Sequence, residues 1–176
     1  MSTIAYDGNT LAGDRMCTVG NTPMPFQKIG KINGMTFGCA GYAEDTVLFA
    51  EWVKTGMIRS SNTVPKLSTN FHAICIDANG DVYLYFEKLV PIPHQKGKPW
   101  AFGSGGEFAM GAMAMGATAK DAVEIATQFD INTGLGVDVI KLDSKAQKGE
   151  RDVRTDDKKR KEQTGLRDAA GTHSRM

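Results

Sequence analysis

The chain has 176 residues, 41% of them hydrophobic, and a formal net charge of +1 at pH 7. This length suits one domain with a substantial core, and the near-neutral charge argues against a dedicated nucleic-acid-binding protein. No apolar run approaches the ~20 residues of a membrane-spanning helix, so we expect no membrane partner.

The three cysteines, Cys17, Cys39 and Cys75, are widely spaced and contain no Cys-x-x-Cys pair. An odd, scattered set argues against a disulfide framework and against a zinc site, and it favours buried reduced thiols. The first seven residues have neither the basic region nor the apolar region of a signal peptide. We therefore expect a cytoplasmic protein.

Three Asx-Gly dipeptides predict the turns of β-hairpins. The predicted strand pairs on either side of these turns cover residues 2–6 with 9–16, 26–32 with 35–40, and 72–77 with 81–86. Residues 19–25 contain Gly, Asn and two prolines, which predicts a loop between the first two hairpins. Residues 89–99 contain three prolines and are predicted to form a loop or an edge strand.

Apolar spacing predicts three helices, over residues 43–56, 107–116 and 119–129. Thr118, followed three positions later by Asp121, is a capping-box-like start for the third helix. Short strands over residues 100–102 and 137–142 complete the body. Strands followed by helices and a final strand are typical of an α+β fold.

Residues 143–176 differ in character from the rest of the chain. They carry ten Lys or Arg and seven Asp or Glu residues, with almost no large apolar side chain. Such a segment cannot bury enough apolar surface to offset the entropy of ordering it. The sequence therefore predicts a domain over residues 1–142 and a charged, disordered tail over residues 143–176.

Ser2 directly follows Met1 and begins the first predicted strand. If Met1 is removed, Ser2 carries both a hydroxyl and a free α-amine, whose pKa near ~7.7–8.0 leaves a useful fraction unprotonated near neutral pH. Nucleophile and general base would then lie in one residue. The first hairpin would fold Asp14 back beside Ser2.

Six short sequence blocks follow one another along the chain. They are Ser2-Thr3-Ile4, Leu11-Ala12-Gly13-Asp14-Arg15, Lys28-Ile29-Gly30-Lys31, Gly38-Cys39-Ala40-Gly41, Gly103-Ser104-Gly105-Gly106 and Asp130-Ile131-Asn132-Thr133-Gly134. Over residues 2 to 142, these blocks and their spacing resemble those of the proteasome β-subunit superfamily of N-terminal nucleophile hydrolases. It is most similar to the bacterial HslV-like peptidase and to small phage and bacterial relatives. The resemblance implies a four-layer αββα sandwich.

The resemblance implies catalytic roles for Ser2, Asp14, Lys28, Gly41, Ser104, Asp130 and Thr133. Ser2 would be the nucleophile, in place of the family's N-terminal threonine. Lys28, held as an ammonium by Asp14, would favour the ionised Ser2 hydroxyl, and the Gly41 amide would face the developing oxyanion. Asp130 and Thr133 would help to hold the α-amine, and Ser104 matches the serine of the family's Gly-Ser-Gly-Gly block.

The resemblance also implies a pocket for the substrate residue before the cut, lined by Cys17, Phe26, Cys39 and Ala43. These small or apolar side chains favour an apolar residue there. A peptide or unfolded-protein substrate, a homo-oligomeric ring, a candidate ATP-dependent unfoldase partner, and no metal or organic cofactor are implied as well. One family helix has no counterpart between residues 57 and 71, which we predict to be irregular.

Several alternatives remain open at the level of the sequence. Thr3 could be the nucleophile, although aligning Ser2 keeps the side chains of the first hairpin on the family's faces. The chain could instead be a catalytically inactive, ring-forming scaffold protein of the same fold. A small-molecule amidase that uses the same nucleophile is a third reading.

Overall fold

The computed structural model describes residues 2–60 and 63–142, so Met1 and the predicted tail over residues 143–176 lie outside the described residues. The strands within the described part are β1 Thr3–Tyr6, β2 Thr10–Asp14, β3 Met16–Val19, β4 Thr22–Pro25, β5 Ile29–Ile32, β6 Met35–Ala40, β7 His72–Ile76, β8 Val82–Phe86, β9 Ile92–His94, β10 Trp100–Gly103 and β11 Val137–Lys141. The helices there are α1 Ala43–Lys54, α2 Gly106–Ala114 and α3 Ala119–Ala126. The predicted α+β class is confirmed.

The first sheet, sheet A, has the order β10-β1-β2-β11, and its neighbouring strands are antiparallel. The β1–β2 turn is stabilised by Asp7, whose Oδ1 accepts hydrogen bonds from the main-chain N–H groups of Asn9 and Thr10 at 2.9 and 2.8 Å. An aspartate that bonds the main chain two and three residues on is a strong turn former. The predicted first hairpin is confirmed.

The second sheet, sheet B, is a meander in the order β5-β6-β7-β8-β9. Its first turn has Asn33 at φ 51° and Gly34 at φ 80°. Two successive positive φ angles define the primed turn that matches the twist of a hairpin, and they explain the Asn-Gly pair. The second and third predicted hairpins are confirmed, and β9 occupies the sheet edge that the prolines of residues 89–99 indicated.

The predicted loop over residues 19–25 is wrong. Strands β3 and β4 form a two-stranded antiparallel ribbon, in which Met16 pairs with Pro25 and Thr18 with Pro23. Both prolines lie in an edge strand of this isolated ribbon, where a missing N–H breaks no further ladder. Gly20, at φ 58°, begins the turn.

Sheets A and B pack face to face through a cluster of buried side chains that includes Ile4 and Leu11 from sheet A and Ile74 from sheet B. Two glycines allow close packing. A Cβ at Gly13 or at Gly38 would come within 2.8 or 2.9 Å of the Ile4 side chain. The beginning of β1 is therefore held tightly between the two sheets.

Helices cover the remaining faces. Phe49 of α1 packs on sheet B, with its ring centroid 5.1 Å from that of Phe71 and 5.8 Å from that of Tyr85. Helices α2 and α3 pack on sheet A through alanines, among them Ala109 and Ala122. The main-chain N–H of Asp121 donates to Thr118 Oγ1 at 3.2 Å, which confirms the predicted cap of α3.

Between α1 and β7, residues 57–60 and 63–71 contain neither helix nor strand, as predicted, while α1 ends two residues before its predicted end. Ser68 fixes part of this segment by donating to Asp45 of α1. Across the described part of the chain, none of the helices has the length and apolar character needed to cross a membrane.

Candidate active site

Ser2 immediately precedes β1 and is buried, with 3% of its surface exposed. Thr3 pairs with Gly103 at the end of β10, so the start of the chain lies against the Gly103–Ser104 turn. Gly103 has φ 96°, and a Cβ there would lie 1.9 Å from the carbonyl oxygen of Ser2. Only glycine fits this contact, so the block that contains Gly103 fixes the main chain of Ser2.

Asp14, at the end of β2, is fully buried and accepts four hydrogen bonds. Its Oδ1 accepts from Lys28 Nζ at 2.7 Å and from the main-chain N–H of Thr3 at 2.8 Å. Its Oδ2 accepts from the main-chain N–H groups of Met16 and Gly134 at 3.0 and 3.2 Å. These four donors satisfy both oxygens of a fully buried carboxyl group.

Lys28 is also buried, with 4% of its surface exposed. Its Nζ donates to Asp14 and to the main-chain oxygen of Met16, the latter at 2.6 Å. Burial lowers the pKa of Lys28 below its ordinary value, and the opposing charge of Asp14 offsets part of that effect. The result is a buried ammonium that releases its proton more readily than a surface lysine.

A second polar cluster lies on the other side of the Ser2–Thr3 peptide. Asp130 Oδ2 accepts hydrogen bonds from Ser104 Oγ and from Thr133 Oγ1, both at 2.6 Å. Thr133 Oγ1 also lies 2.6 Å from Thr3 Oγ1. Ser104 Oγ, 3.5 Å from the Ser2 carbonyl oxygen, connects this cluster to Ser2.

Asp130 is fixed as a carboxylate by its donors. Burial acts to raise its pKa, but hydrogen bonds from Ser104, Thr133 and Asn132 outweigh burial and hold the pKa below its ordinary value. The Ser2–Thr3 peptide therefore has one anion on each side. Thr3 N–H donates to Asp14, and the Ser2 carbonyl oxygen lies 3.5 Å from Ser104 Oγ, which donates to Asp130.

Gly41 follows β6 and has φ 144°, a conformation that side-chain-bearing residues rarely adopt. A Cβ there would come within 3.3 Å of the main chain of Phe71. Gly41 and Ser2 both line a small depression and a larger cleft. A reacting group at Ser2 would therefore reach both cavities.

The small depression has a volume of about 10 Å³. Three of the four residues predicted for the substrate pocket line it, namely Cys17, Phe26 and Ala43. The structure does not bring the fourth, Cys39, to the depression. Cys39 is fully buried in the cluster between sheet B and α1, because its neighbour Ala40 faces the other side of the sheet.

The larger cleft has a volume of about 500 Å³ and is lined by Ser2, Ala40, Gly41, Tyr42, Asn70, His72, Gly103 and Ser104. Sequence reasoning missed Tyr42, Asn70 and His72. The pairing of Ala40 with His72 across β6 and β7 places the histidine at the cleft. No sequence pattern pointed to Asn70, which lies in the irregular segment before β7.

No family model matches the sequence, and no curated protein matches it either. Solved structures do match. The BPH protein of Thiobacillus denitrificans superposes with a TM-score of 0.58 and 17% identity, covering 81% of this chain and 98% of that chain. The same protein in complex with epoxomicin gives the same values. The eukaryotic HslV of Trypanosoma brucei gives a TM-score of 0.56 and 20% identity, covering 79% of this chain and 97% of that chain.

These likenesses confirm the predicted structural resemblance to HslV-type proteasome β-subunits. They extend over nearly the whole of both solved chains, so the predicted resemblance over residues 2 to 142 is not confined to one hairpin. At identities of 17 and 20%, the likeness shows the fold, and the chemistry depends on the geometry of the site itself.

Proposed function

We propose that this protein is a proteasome-like peptidase on a four-layer αββα frame, with Ser2 as the nucleophile once Met1 is removed. The observation that carries this proposal is the position of Ser2, which lines both cavities beside Gly41. The Ser2–Thr3 peptide is held between the Asp14–Lys28 pair and the Ser104–Asp130 pair.

Ser2 is a better candidate for the nucleophile than Thr3. Thr3 is fully buried, its N–H is bound to Asp14 and its hydroxyl is bound to Thr133. Thr3 is not among the residues that line either cavity in the described part of the chain. A carbonyl group of a substrate could therefore reach Ser2 without disrupting the hydrogen bonds of Thr3.

In the first half of the proposed reaction, Ser2 Oγ adds to the carbonyl carbon of a peptide bond. Its proton passes to the Ser2 α-amine, which acts as general base. The ammonium then gives that proton to the departing nitrogen as the carbon–nitrogen bond breaks. An ester between the acyl part of the substrate and Ser2 Oγ remains.

In the second half, water adds to the ester carbonyl and gives a proton to the free α-amine. The bond between the carbonyl carbon and Ser2 Oγ breaks, and Ser2 Oγ takes up that proton. The acyl product leaves as a carboxylic acid. The cycle uses only groups of this chain and water, so the proposal involves no cofactor.

The surrounding residues are assigned supporting roles. Lys28, paired with Asp14, places positive charge near Ser2 and favours the ionised hydroxyl. The main-chain N–H of Gly41 stabilises the developing oxyanion, a type of contact worth ~10²–10³ in rate. Ser104, with Asp130 and Thr133 behind it, holds the main chain of Ser2 and its amine in place.

The small depression is proposed to bind the side chain of the residue before the cut. A volume of about 10 Å³ holds little more than a water molecule, which favours Ala, Ser or Gly at that position. Phe26 and Ala43 add apolar walls, and Cys17 adds a thiol. Cys39 has no part in this pocket because it is buried on the opposite face of sheet B.

The proposal extends to a cytoplasmic, homo-oligomeric ring that receives unfolded protein from an ATP-dependent unfoldase. The free cysteines of the described part fit a reducing compartment. Exposed apolar side chains near α2 and α3 support assembly with other copies, since surfaces of this kind often mark interfaces. They are Phe108, Met115, Phe129 and Ile131.

The same apolar surface favours a second candidate, a catalytically inactive scaffold that forms a ring, because assembly requires no chemistry at Ser2. Intact mass and peptide hydrolysis together distinguish the two. We expect wild type to lack Met1 and to cleave fluorogenic peptides with Ala before the cut. Ser2→Ala should be inactive, while the exposed control Ser60→Ala retains activity. A wild-type protein with a free Ser2 amine and no hydrolysis would favour the scaffold.

A further inference from the structure

The two cavities at Ser2 differ in size, at about 10 and 500 Å³. They share Ser2 and Gly41, the groups proposed to bind the carbonyl that is attacked. A peptide has one part on each side of that carbonyl. The small depression can take only one part, so the other part must enter the larger cleft.

The position of Ser104 indicates which part enters the larger cleft. The leaving nitrogen must receive its proton from the α-amine of Ser2, which is part of the Ser2 main chain. Ser104 lines the larger cleft and lies 3.5 Å from the Ser2 carbonyl oxygen, whereas Lys28 lines the depression. Since Ser104 is the residue proposed above to hold that amine, the leaving nitrogen would lie on the side of the larger cleft.

His72 lines the larger cleft, and its ring packs against two other rings. The ring centroid lies 4.9 Å from that of Phe86 and 6.1 Å from that of Phe102, both in edge-to-face geometry. Tyr42, which also lines the cleft, has 62% of its surface exposed. Burial lowers the pKa of His72, which favours the neutral imidazole at neutral pH.

The chemistry of the lining defines what the cleft can bind. The lining consists of small residues, Tyr42, Asn70 and His72, and none of these described residues is Asp, Glu, Lys or Arg. A charged side chain would lose water there without meeting an opposite charge, which is unfavourable. A large uncharged side chain would contact both rings and could accept or donate a hydrogen bond at Asn70.

We propose that the larger cleft binds the residue that follows the cut bond, that it selects large uncharged side chains, and that His72 determines this specificity. This inference rests on the proposed peptidase activity and assigns a residue class to its leaving-group side. The depression would then limit the residue before the cut, while the cleft selects the residue after it.

Internally quenched peptides with Ala before the target bond and Phe, Leu, Gly, Lys or Glu after it test the proposal. Wild type should prefer Phe and Leu over Lys and Glu by about 10-fold or more in kcat/KM. His72→Ala should reduce that preference, mainly through KM for the Phe and Leu peptides, with little change for Gly. Asn70→Ala provides a second variant if His72→Ala does not fold.

His94→Ala is the matched control, since His94 also packs against an aromatic ring, Trp100, but lies in β9 outside the cleft. It should leave the preference unchanged. An unaltered preference in both cleft variants would overturn the inference. If the cleft variants changed only the preference for the residue before the cut, the assignment of the two sides would be overturned.

A binding measurement separates failure of this inference from failure of the proposed function. In Ser2→Ala, an uncleaved peptide with Ala before and Phe after the target bond should shift the imidazole NMR signal of His72, one of three histidines. A shift without hydrolysis by wild type would reject the peptidase and retain the cleft as a peptide site. Hydrolysis without a shift would reject the role of His72.

Discussion

Lys28 Nζ lies 2.7 Å from Asp14 Oδ1, and 3% and 0% of the two side chains are exposed. Burial lowers the pKa of the lysine, and the charge of the carboxylate offsets part of that effect. Asp14 also accepts the N–H of Thr3, so one carboxylate fixes both the lysine and the main chain beside Ser2.

Removal of Lys28 should therefore destabilise the fold as well as stop peptide hydrolysis. Lys28→Met leaves the Asp14 charge buried without its ion partner, a loss of about 3–5 kcal/mol in other proteins. Urea unfolding should show this loss in the free energy of unfolding. The exposed pair of Lys54 and Glu51 provides the control, and Lys54→Met should leave the unfolding midpoint unchanged within error. Equal unfolding midpoints for the two variants would contradict the claim that the buried ion pair stabilises the fold.

Gly103→Ala should misplace Ser2. The added Cβ would lie 1.9 Å from the Ser2 carbonyl oxygen, and φ 96° is unfavourable for alanine. We expect a loss of more than about 1 kcal/mol in stability and at least ~10² in kcat/KM, since small displacements of reacting groups are costly. Gly111→Ala is the matched control in α2, where a Cβ meets nothing within 4 Å. It should stabilise the helix by up to ~1 kcal/mol and retain activity.

Ser104→Ala should change how stability depends on pH. Asp130 has its pKa below the ordinary 3.8 in the native state, so the native protein binds fewer protons than the unfolded chain and loses stability as pH falls through that range. Without the Ser104 hydrogen bond the native pKa should rise toward 3.8. The destabilisation should be about 1–3 kcal/mol at pH 7 and should shrink below pH 4. Unfolding curves from pH 7 to 3 measure this, and a pH-independent difference would contradict it.

Cys17 should react with iodoacetamide before Cys39 and Cys75. Cys17 is half-buried in the small depression, whereas the other two thiols are buried and their pKa values are raised by burial. Mass spectrometry of tryptic peptides gives the order of alkylation. Alkylation of Cys17 should block peptide hydrolysis if the depression binds substrate. The Cys17→Ser variant should keep its activity after treatment with iodoacetamide. Full activity of the alkylated protein would exclude the depression as the substrate pocket.

Local turn chemistry made much of the fold predictable. Asp7 and Asn33 specify their hairpins through contacts within a few residues, so the sequence alone was sufficient there. The β3–β4 ribbon was missed because Pro23 and Pro25 are poor strand formers, and only their isolated edge position makes them acceptable. The strand conformation of that segment therefore depends on its position in the fold and not on its local sequence.

The candidate site was predictable only in part. Ser2 could be recognised from its own chemistry, while Ser104 and Asp130 were assigned to the site only through the family resemblance. Their contact joins residues 26 positions apart and was not predicted. Cys39 was assigned to the wrong face, although alternation along β6 separates it from Ala40. His72 reaches the cleft through sheet pairing that no local pattern reveals.

Reaction with a peptide epoxyketone tests most directly whether Ser2 is an amine-bearing nucleophile. We expect intact wild-type protein to lack Met1 and to gain the mass of one inhibitor, which tandem mass spectrometry should place on Ser2. Ser2→Ala should gain none, whereas Thr3→Ser should still react at Ser2. An adduct at Thr3, or no adduct on wild-type protein whose Ser2 amine is free, would contradict the proposed nucleophile.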